Sequence, residues 1–137
     1  MSAILQTRGL EHIGLFAHDT VRLAQWYITV FGATEVSRSP ESAPIVFLSL
    51  GHGSLIELIP ASPPPAGEKD HMHICFVVDD IHTAVATLRK QEIELTKEIF
   101  RAYDETEVAF FHDPEGNLIQ LAERPKTSPI RKAVFST

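Results

Sequence analysis

Two short segments decide the fold of this chain: His12-Ile-Gly-Leu-Phe-Ala-His-Asp19 and His73-Ile-Cys-Phe-Val-Val-Asp-Asp80. Each begins with a histidine, continues as an apolar run of strand length and reaches an aspartate at the same spacing. The apolar run is typical of a buried strand. Aspartate is a favoured N-cap, because its carboxylate accepts hydrogen bonds from the first free backbone N–H groups of a helix. The chain therefore contains a repeated strand-to-helix junction, and an internal repeat of this kind sets the architecture.

Amphipathic helices are predicted after both aspartates. Apolar residues recur at helical spacing after Asp19, and Gly32 then supplies the left-handed residue that commonly ends a helix. Similar spacing follows Asp80, so a helix succeeds the strand at matching places in the two segments. The apolar positions are Leu23, Trp26, Tyr27, Val30 and Phe31 in the first helix and Ile81, Ala84, Val85 and Leu88 in the second.

The ends of the two units also match. Gly53-Ser-Leu-Ile-Glu57-Leu-Ile59 aligns with Gly116-Asn-Leu-Ile-Gln120-Leu-Ala122. The stretch Asp113-Pro-Glu-Gly116 predicts a tight turn, with proline favoured at its second position and glycine at its fourth. Each unit then reads β-α-β-β-β. The strands that complete the units are predicted at residues 33–37 and 45–50 in the first and near 94–99 and at 107–111 in the second.

The repeat predicts an α+β fold of two tandem βαβββ modules, which form a cupped mixed β-sheet with helices on the outer face. Pro60-Ala-Ser-Pro-Pro-Pro-Ala-Gly67 is unsuited to a helix or a central strand, so it separates the modules. A unit of roughly 50 residues buries little surface on its own, and we therefore expect one domain over residues 1–137. Its predicted parts are module one at about 8–60, a linker at about 60–70, module two at about 71–124, and a C-terminal tail at 125–137 without clear apolar periodicity.

The composition is ordinary for a soluble globular protein, with 44% hydrophobic and 22% charged residues in a chain of 137. A formal net charge of −6 argues against a nucleic-acid partner. No apolar run approaches the roughly 20 residues that a membrane span requires. No secretory signal is visible at the start, and the single cysteine cannot form an internal disulfide. We therefore expect a cytoplasmic protein.

Four polar side chains are expected on the strand faces that turn away from the helices. Alternate residues of a strand share a face, and each of these polar residues has apolar neighbours that can cover the helix side. The repeat equates His12 with His73 and Glu57 with Gln120. If an approximate two-fold axis relates the modules, two imidazoles, one carboxylate and one amide oxygen converge. This set suits a divalent ion of borderline to hard character, namely Zn, Ni, Co, Mn or Fe(II).

The same stretches resemble the vicinal oxygen chelate superfamily over about residues 8–124. The resemblance rests on His12-Ile-Gly-Leu, Leu55-Ile-Glu57-Leu-Ile, the segment from His73 and the segment Asp113-Pro-Glu-Gly-Asn-Leu-Ile-Gln120-Leu. That superfamily includes glyoxalase I, methylmalonyl-CoA epimerase, extradiol dioxygenases, fosfomycin resistance proteins and bleomycin-binding proteins. The resemblance implies metal ligands at the four positions already singled out. Gln120 departs from bacterial glyoxalase I, which is similar at the other three positions but normally has a second glutamate there.

The resemblance implies a metal-dependent isomerase or lyase that acts on a small oxygen-rich substrate through an enediolate-like intermediate. Glu57 is one candidate base. Glu41 is another, since it precedes the third strand about where epimerases carry a catalytic carboxylate, although Pro40-Glu-Ser-Ala-Pro44 lacks the glycine-valine motif of those enzymes. A non-catalytic small-molecule binding or resistance protein is the alternative. An extradiol-type dioxygenase would have to hold Fe(II) without a carboxylate from Gln120.

A small-molecule substrate and a homodimer are the expected partners, because modules this small often complete their sheets against a second chain. Glutathione and coenzyme A, the carriers used by similar enzymes, have anionic ends that need basic contacts. Tyr103 and His112 are further residues that could line a pocket. The basic residues available for such contacts are Arg38, Arg101, Arg124, Arg131 and Lys132.

Overall fold

The computed structural model describes residues 4, 6, 8, 10–62, 70, 72–102 and 104–135. The chain divides into two compact units, Met1–Pro63 and Pro64–Thr137. The elements of the first unit are β1 (His12–Ala17), α1 (Thr20–Phe31), β2 (Thr34–Arg38), β3 (Val46–Ser49) and β4 (Leu55–Pro60). The elements of the second unit are β5 (His73–Val77), α2 (Ile81–Lys90), β6 (Leu95–Arg101), β7 (Glu107–His112), β8 (Leu118–Glu123) and α3 (Pro129–Phe135).

Each unit holds a four-stranded mixed sheet of the same topology. The strand order is β1-β4-β3-β2 in the first unit and β5-β8-β7-β6 in the second. In both sheets the first strand runs parallel to the last strand of its unit, and the other neighbours are antiparallel. The predicted α+β fold of tandem βαβββ modules is therefore confirmed, and each module has a sheet of its own.

Local capping chemistry sets the helix ends as predicted. The Asp19 carboxylate accepts a hydrogen bond from the Arg22 backbone N–H at 3.0 Å, and Asp80 accepts one from Thr83 at 3.1 Å. The hydrogen bonds from the Thr83 backbone and hydroxyl also lower the pKa of Asp80. Gly32 ends α1 in the left-handed region, with φ of 69°, a conformation that glycine adopts at no steric cost.

The core of each unit lies between its helix and its sheet. In the first unit α1 packs on β4, β3 and β2, and in the second α2 packs on β7 and β8. Because β1 is an edge strand, Ile13 remains 39% exposed although it lies opposite the buried Ile56 in the strand ladder. The buried side chains include Leu23, Tyr27, Leu48 and Leu58 in the first unit and Ile81, Val85, Phe111 and Ile119 in the second.

The segments outside the modules differ in part from the prediction. Pro60, which the sequence assigned to the linker, is the last residue of β4, and residues 63–69 of the linker lie outside the described residues. The tail contains the short helix α3, which the apolar pattern did not predict. It begins after Ser128, whose hydroxyl accepts from the Arg131 backbone N–H at 3.2 Å. Within the described residues, no helix is long and apolar enough to cross a membrane.

Candidate metal site

Strand register places each pair of predicted ligands on one face of its sheet. In the first unit Gly14 lies opposite Glu57, so His12 and Glu57 share a face at diagonal positions of two neighbouring strands. In the second unit Cys75 lies opposite Gln120, and His73 takes the same diagonal position. The repeat therefore gives the candidate ligand positions the same strand register in both modules.

The imidazole of His12 and the carboxylate of Glu57 are in direct polar contact in module one. His12 Nε2 lies 3.3 Å from Glu57 Oε1, and the two side chains are 36% and 20% exposed. If the His12 ring is neutral and carries its proton on Nδ1, then Nε2 turns a lone pair towards the Glu57 carboxylate. Two electron-rich atoms at this distance need a cation between them, either a second proton on the ring or a metal ion. The donor chemistry of this pair therefore fits a divalent metal.

A second carboxylate contacts the opposite side of the same ring. Glu11 Oε1 lies 2.9 Å from His12 Nδ1, and the Glu11 side chain is 78% exposed. Metal-binding histidines commonly donate their second N–H to a carboxylate, which fixes the tautomer and aims the other nitrogen at the metal. Glu11 is not among the residues predicted for the site, although a carboxylate directly before a strand histidine is a signal that the sequence carries.

Replacing Glu11 by alanine is expected to weaken metal binding about tenfold, because an outer-shell partner of a metal ligand contributes about 10–100-fold in affinity. Competition with a metal-chelating dye measures the change. Glu98→Ala is the matched control, since Glu98 is 81% exposed and paired with Arg89. A Glu11→Ala affinity within twofold of the control would show that Glu11 does not support the ring.

An aromatic ring stands beside each candidate histidine. The His12 ring meets Phe47 edge-on at 5.4 Å between centroids, and His73 meets Phe110 edge-on at 5.9 Å. Phe47 lies opposite Glu57 in the ladder, and Phe110 lies opposite Gln120. Each module thus places an aromatic ring beside its candidate histidine, and edge-to-face contacts of this kind restrict ring orientation.

The two modules differ at the strand position that lies opposite Glu57 in the first and opposite Gln120 in the second. A Cβ at Gly14 would lie 3.2 Å from Ile59 Cδ1 and 3.7 Å from Glu57 Oε1, so glycine leaves room beside the carboxylate. Module two has Cys75 at the equivalent position. Desolvation raises the pKa of the Cys75 thiol, and the charge of Arg124 opposes this only in part. The thiol is therefore protonated near neutral pH.

Glu41, the other predicted base, lies in the loop between β2 and β3. This loop adjoins the sheet edge opposite β1. A hydrogen bond from the Ser39 side chain is the main cause of the lowered pKa of Glu41, and its own backbone N–H adds to the effect. A lower pKa makes a carboxylate a weaker base. The structure thus brings Glu57, but not Glu41, into contact with His12.

Three of the basic residues considered for anion binding take part in ion pairs. Arg38 pairs with Glu35, Arg101 with Glu105, and Arg124 with Asp104. Arg131 lies over the Phe135 ring, and Tyr103 lies outside the described residues. The charges of Arg38, Arg101 and Arg124 are partly neutralised by these carboxylates. A role of the basic residues in anion binding stays a prediction.

The four predicted ligands are described as two pairs, one in each unit. Within the part of the chain that the structure describes, no three His, Cys, Asp or Glu side chains form a group that could hold a metal ion. His12 and Glu57 are brought together, and His73 and Gln120 occupy equivalent positions on neighbouring strands. A four-ligand centre formed from both pairs stays a prediction.

Comparison with known proteins gives concordant results for most of the chain. Residues 9–121 match the family model described as the Glyoxalase/Bleomycin resistance protein/Dioxygenase superfamily. The mitochondrial methylmalonyl-CoA epimerase of Homo sapiens is 31% identical over 128 residues, which cover 83% of this chain and 73% of that protein.

Solved structures share the fold at lower identity. A mutant of the fosfomycin resistance protein FosX from Listeria monocytogenes, in complex with Mn(II) and a dihydroxypropylphosphonic acid, has a TM-score of 0.73 at 20% identity, covering 88% of this chain and 95% of its own. Lactoylglutathione lyase from Agrobacterium tumefaciens has a TM-score of 0.67 at 22% identity, covering 85% and 94%. The family match and the repeated modules lead to one conclusion: the chain belongs to the Glyoxalase/Bleomycin resistance protein/Dioxygenase superfamily.

Proposed function

We propose that this protein is a metal-dependent isomerase or lyase acting on a small oxygen-rich substrate with a C–H bond next to a carbonyl. The contact between His12 and Glu57 at 3.3 Å carries the proposal, because it directs an imidazole and a carboxylate at one point. His12, Glu57, His73 and Gln120 would hold the ion, with Zn, Ni, Co, Mn and Fe(II) as the chemically suitable choices.

The bound ion would supply Lewis acidity that lowers the cost of negative charge on a substrate oxygen. The residues of the chain must still bind the substrate and move its proton. Glu57 is the candidate base with support from the geometry, because its carboxylate lies against His12 on the same face of the first sheet. Glu41 is the second candidate, and its lowered pKa makes it the weaker one.

The assembly in which this chemistry would occur is part of the same proposal. We propose that both units act as one domain, with module one at about 8–60 and module two at about 71–124. A cytoplasmic homodimer is the proposed state. The small size of each sheet supports dimerisation, since four-stranded units of this length gain stability by packing against a second body.

A non-catalytic binding or resistance protein of the same fold is the second candidate function. One observation favours it: Phe16 is 52% exposed on the same strand face as His12, and Phe47 lies on that face as well. Exposed aromatic surface beside a polar centre suits the capture of a small organic molecule.

Elemental analysis of protein purified without chelator tests the metal proposal. We expect near-stoichiometric divalent metal in the wild type and loss of it in His73→Ala. His82→Ala is the matched control, because His82 belongs to the same unit and contacts Glu107 instead. Turnover is then assayed with methylmalonyl-CoA and with the hemithioacetal of methylglyoxal and glutathione. Wild-type protein that stays metal-free after incubation with each candidate ion would favour the binding function.

A further inference from the structure

A histidine–aspartate pair lies on the face of the second sheet that carries His73 and Gln120. His112 Nε2 is 2.9 Å from Asp70 Oδ1, and the two side chains are 35% and 39% exposed. In the strand ladders, Leu118 lies opposite both His112 and His73. These three residues form one row across the sheet, so both imidazoles project from the same face.

The row sets the two histidines two strands apart, with Leu118 between them. Neighbouring strands are about 4.8 Å apart, so the Cα atoms of His73 and His112, two strands apart, are separated by about 10 Å. Leu118 lies between them and forms an apolar floor, and Gln120 and Phe110 occupy the next row on the same face. A small molecule held near His73 would therefore lie within reach of His112.

Module one has a different residue at the corresponding position. Its equivalent row runs from His12 through Leu55 to Ser49, and it places a hydroxyl where module two places His112. Module one instead carries the carboxylate of Glu57, whose counterpart Gln120 is an amide. A neutral amide does not accept a proton near neutral pH. Module two thus has a histidine–aspartate pair on the face where its ligand strand lacks a carboxylate.

Building on the proposed function, we propose that His112 is a catalytic proton-transfer residue and that Asp70 is its positioning residue. The carboxylate of Asp70 faces Nε2, which favours the tautomer protonated there and leaves the lone pair on Nδ1. The C–H bond next to the substrate carbonyl breaks, its proton passes to Nδ1, and its electron pair remains on the substrate as an enolate. The proton on Nδ1 exchanges with solvent, and transfer of a solvent-derived proton back to the enolate re-forms the C–H bond and the neutral imidazole.

The test is the incorporation of deuterium from D2O into methylmalonyl-CoA and into the methylglyoxal–glutathione hemithioacetal by metal-loaded protein. We expect His112→Asn to lower kcat about 100-fold, as general acid–base groups contribute about 10²–10⁴-fold, while KM and metal affinity stay within about twofold. Asp70→Asn should show a smaller loss. His82→Asn is the matched control, since its Nε2 contacts Glu107 Oε2 at 3.1 Å on the opposite face of the sheet.

Two further readouts separate the possible outcomes. Added imidazole is expected to restore exchange in His112→Asn, which a purely structural role would not allow. Wild-type protein that exchanges neither substrate would overturn the proposed function, and this inference with it. Wild-type exchange together with His112→Asn exchange within threefold of it would overturn the inference alone. Loss of bound metal in His112→Asn would also overturn it, by placing His112 in support of the ligands.

Discussion

The Glu57→Gln protein is expected to bind divalent metal more than about 100-fold more weakly than the wild type. The change keeps the shape of the side chain but removes the charge that faces His12 at 3.3 Å. An outer-shell partner alone contributes about 10–100-fold, and a ligand that contacts the ion directly should contribute more. Titration of chelator-stripped protein against a competing dye, with Zn²⁺ and with Mn²⁺, measures the loss.

The reciprocal variant Gln120→Glu provides the matched comparison. It places a second carboxylate at the position that is equivalent to Glu57 by repeat and by strand register, and it is expected to tighten metal binding because an anionic oxygen attracts a dication more strongly than an amide. Thermal melts of both metal-free variants control for misfolding. Unchanged affinity in Glu57→Gln, with a normal melt, would exclude Glu57 as a ligand.

The Asp113→Ala substitution is expected to destabilise module two by about 2–4 kcal/mol, because hydrogen bonds to a charged group contribute about 1.5–3 kcal/mol each and their loss leaves buried donors unpaired. Asp113 is 3% exposed. Its carboxylate accepts the backbone N–H groups of Glu115 and Asn117 at 2.9 Å and the Asn117 side-chain amide at 2.7 Å. These bonds hold the turn that brings β8 back beside β7, and therefore the position of Gln120.

Urea denaturation measures this loss, with the shift of the midpoint interpreted at constant slope. Pro114→Ala is the comparison from the same turn, since Pro114 is exposed and loss of a compatible turn proline costs only about 0.4–1 kcal/mol, through the greater freedom of the unfolded chain. Asp113→Asn should fall between the two, as a neutral oxygen is a weaker acceptor. A midpoint for Asp113→Ala equal to that of Pro114→Ala would mean that the carboxylate does not hold the turn.

The resemblance and the repeat predict most residues of the candidate site, but only the contacts in the structure distinguish between the alternatives that they leave open. Glu57 and Glu41 are both carboxylates near predicted strands, and the sequence offered each as a base. The structure places Glu57 against His12 and Glu41 in a loop with Ser39. The sequence pattern does not distinguish Glu11 and Asp70 from other acidic residues, because the role of each depends on a histidine nitrogen that faces it in the folded chain.

The sequence by itself determined the features that depend on residues a few positions apart. The caps at Asp19 and Asp80, the helix end at Gly32 and the alternation along β1 and β5 follow from local hydrogen bonding and from side-chain periodicity. The family follows too, since its motifs lie on those same elements. The apolar pattern does not predict helix α3, because its seven residues are too few to display a periodic apolar face.

Only the tertiary structure decided which distant groups meet. His112 and Asp70 are 42 positions apart, and His12 meets Glu57 across two strands that are joined through a helix and two further strands. Such contacts depend on strand order and register, where a slip of one residue would turn every side chain to the other face. They therefore become visible when the sheets are assembled.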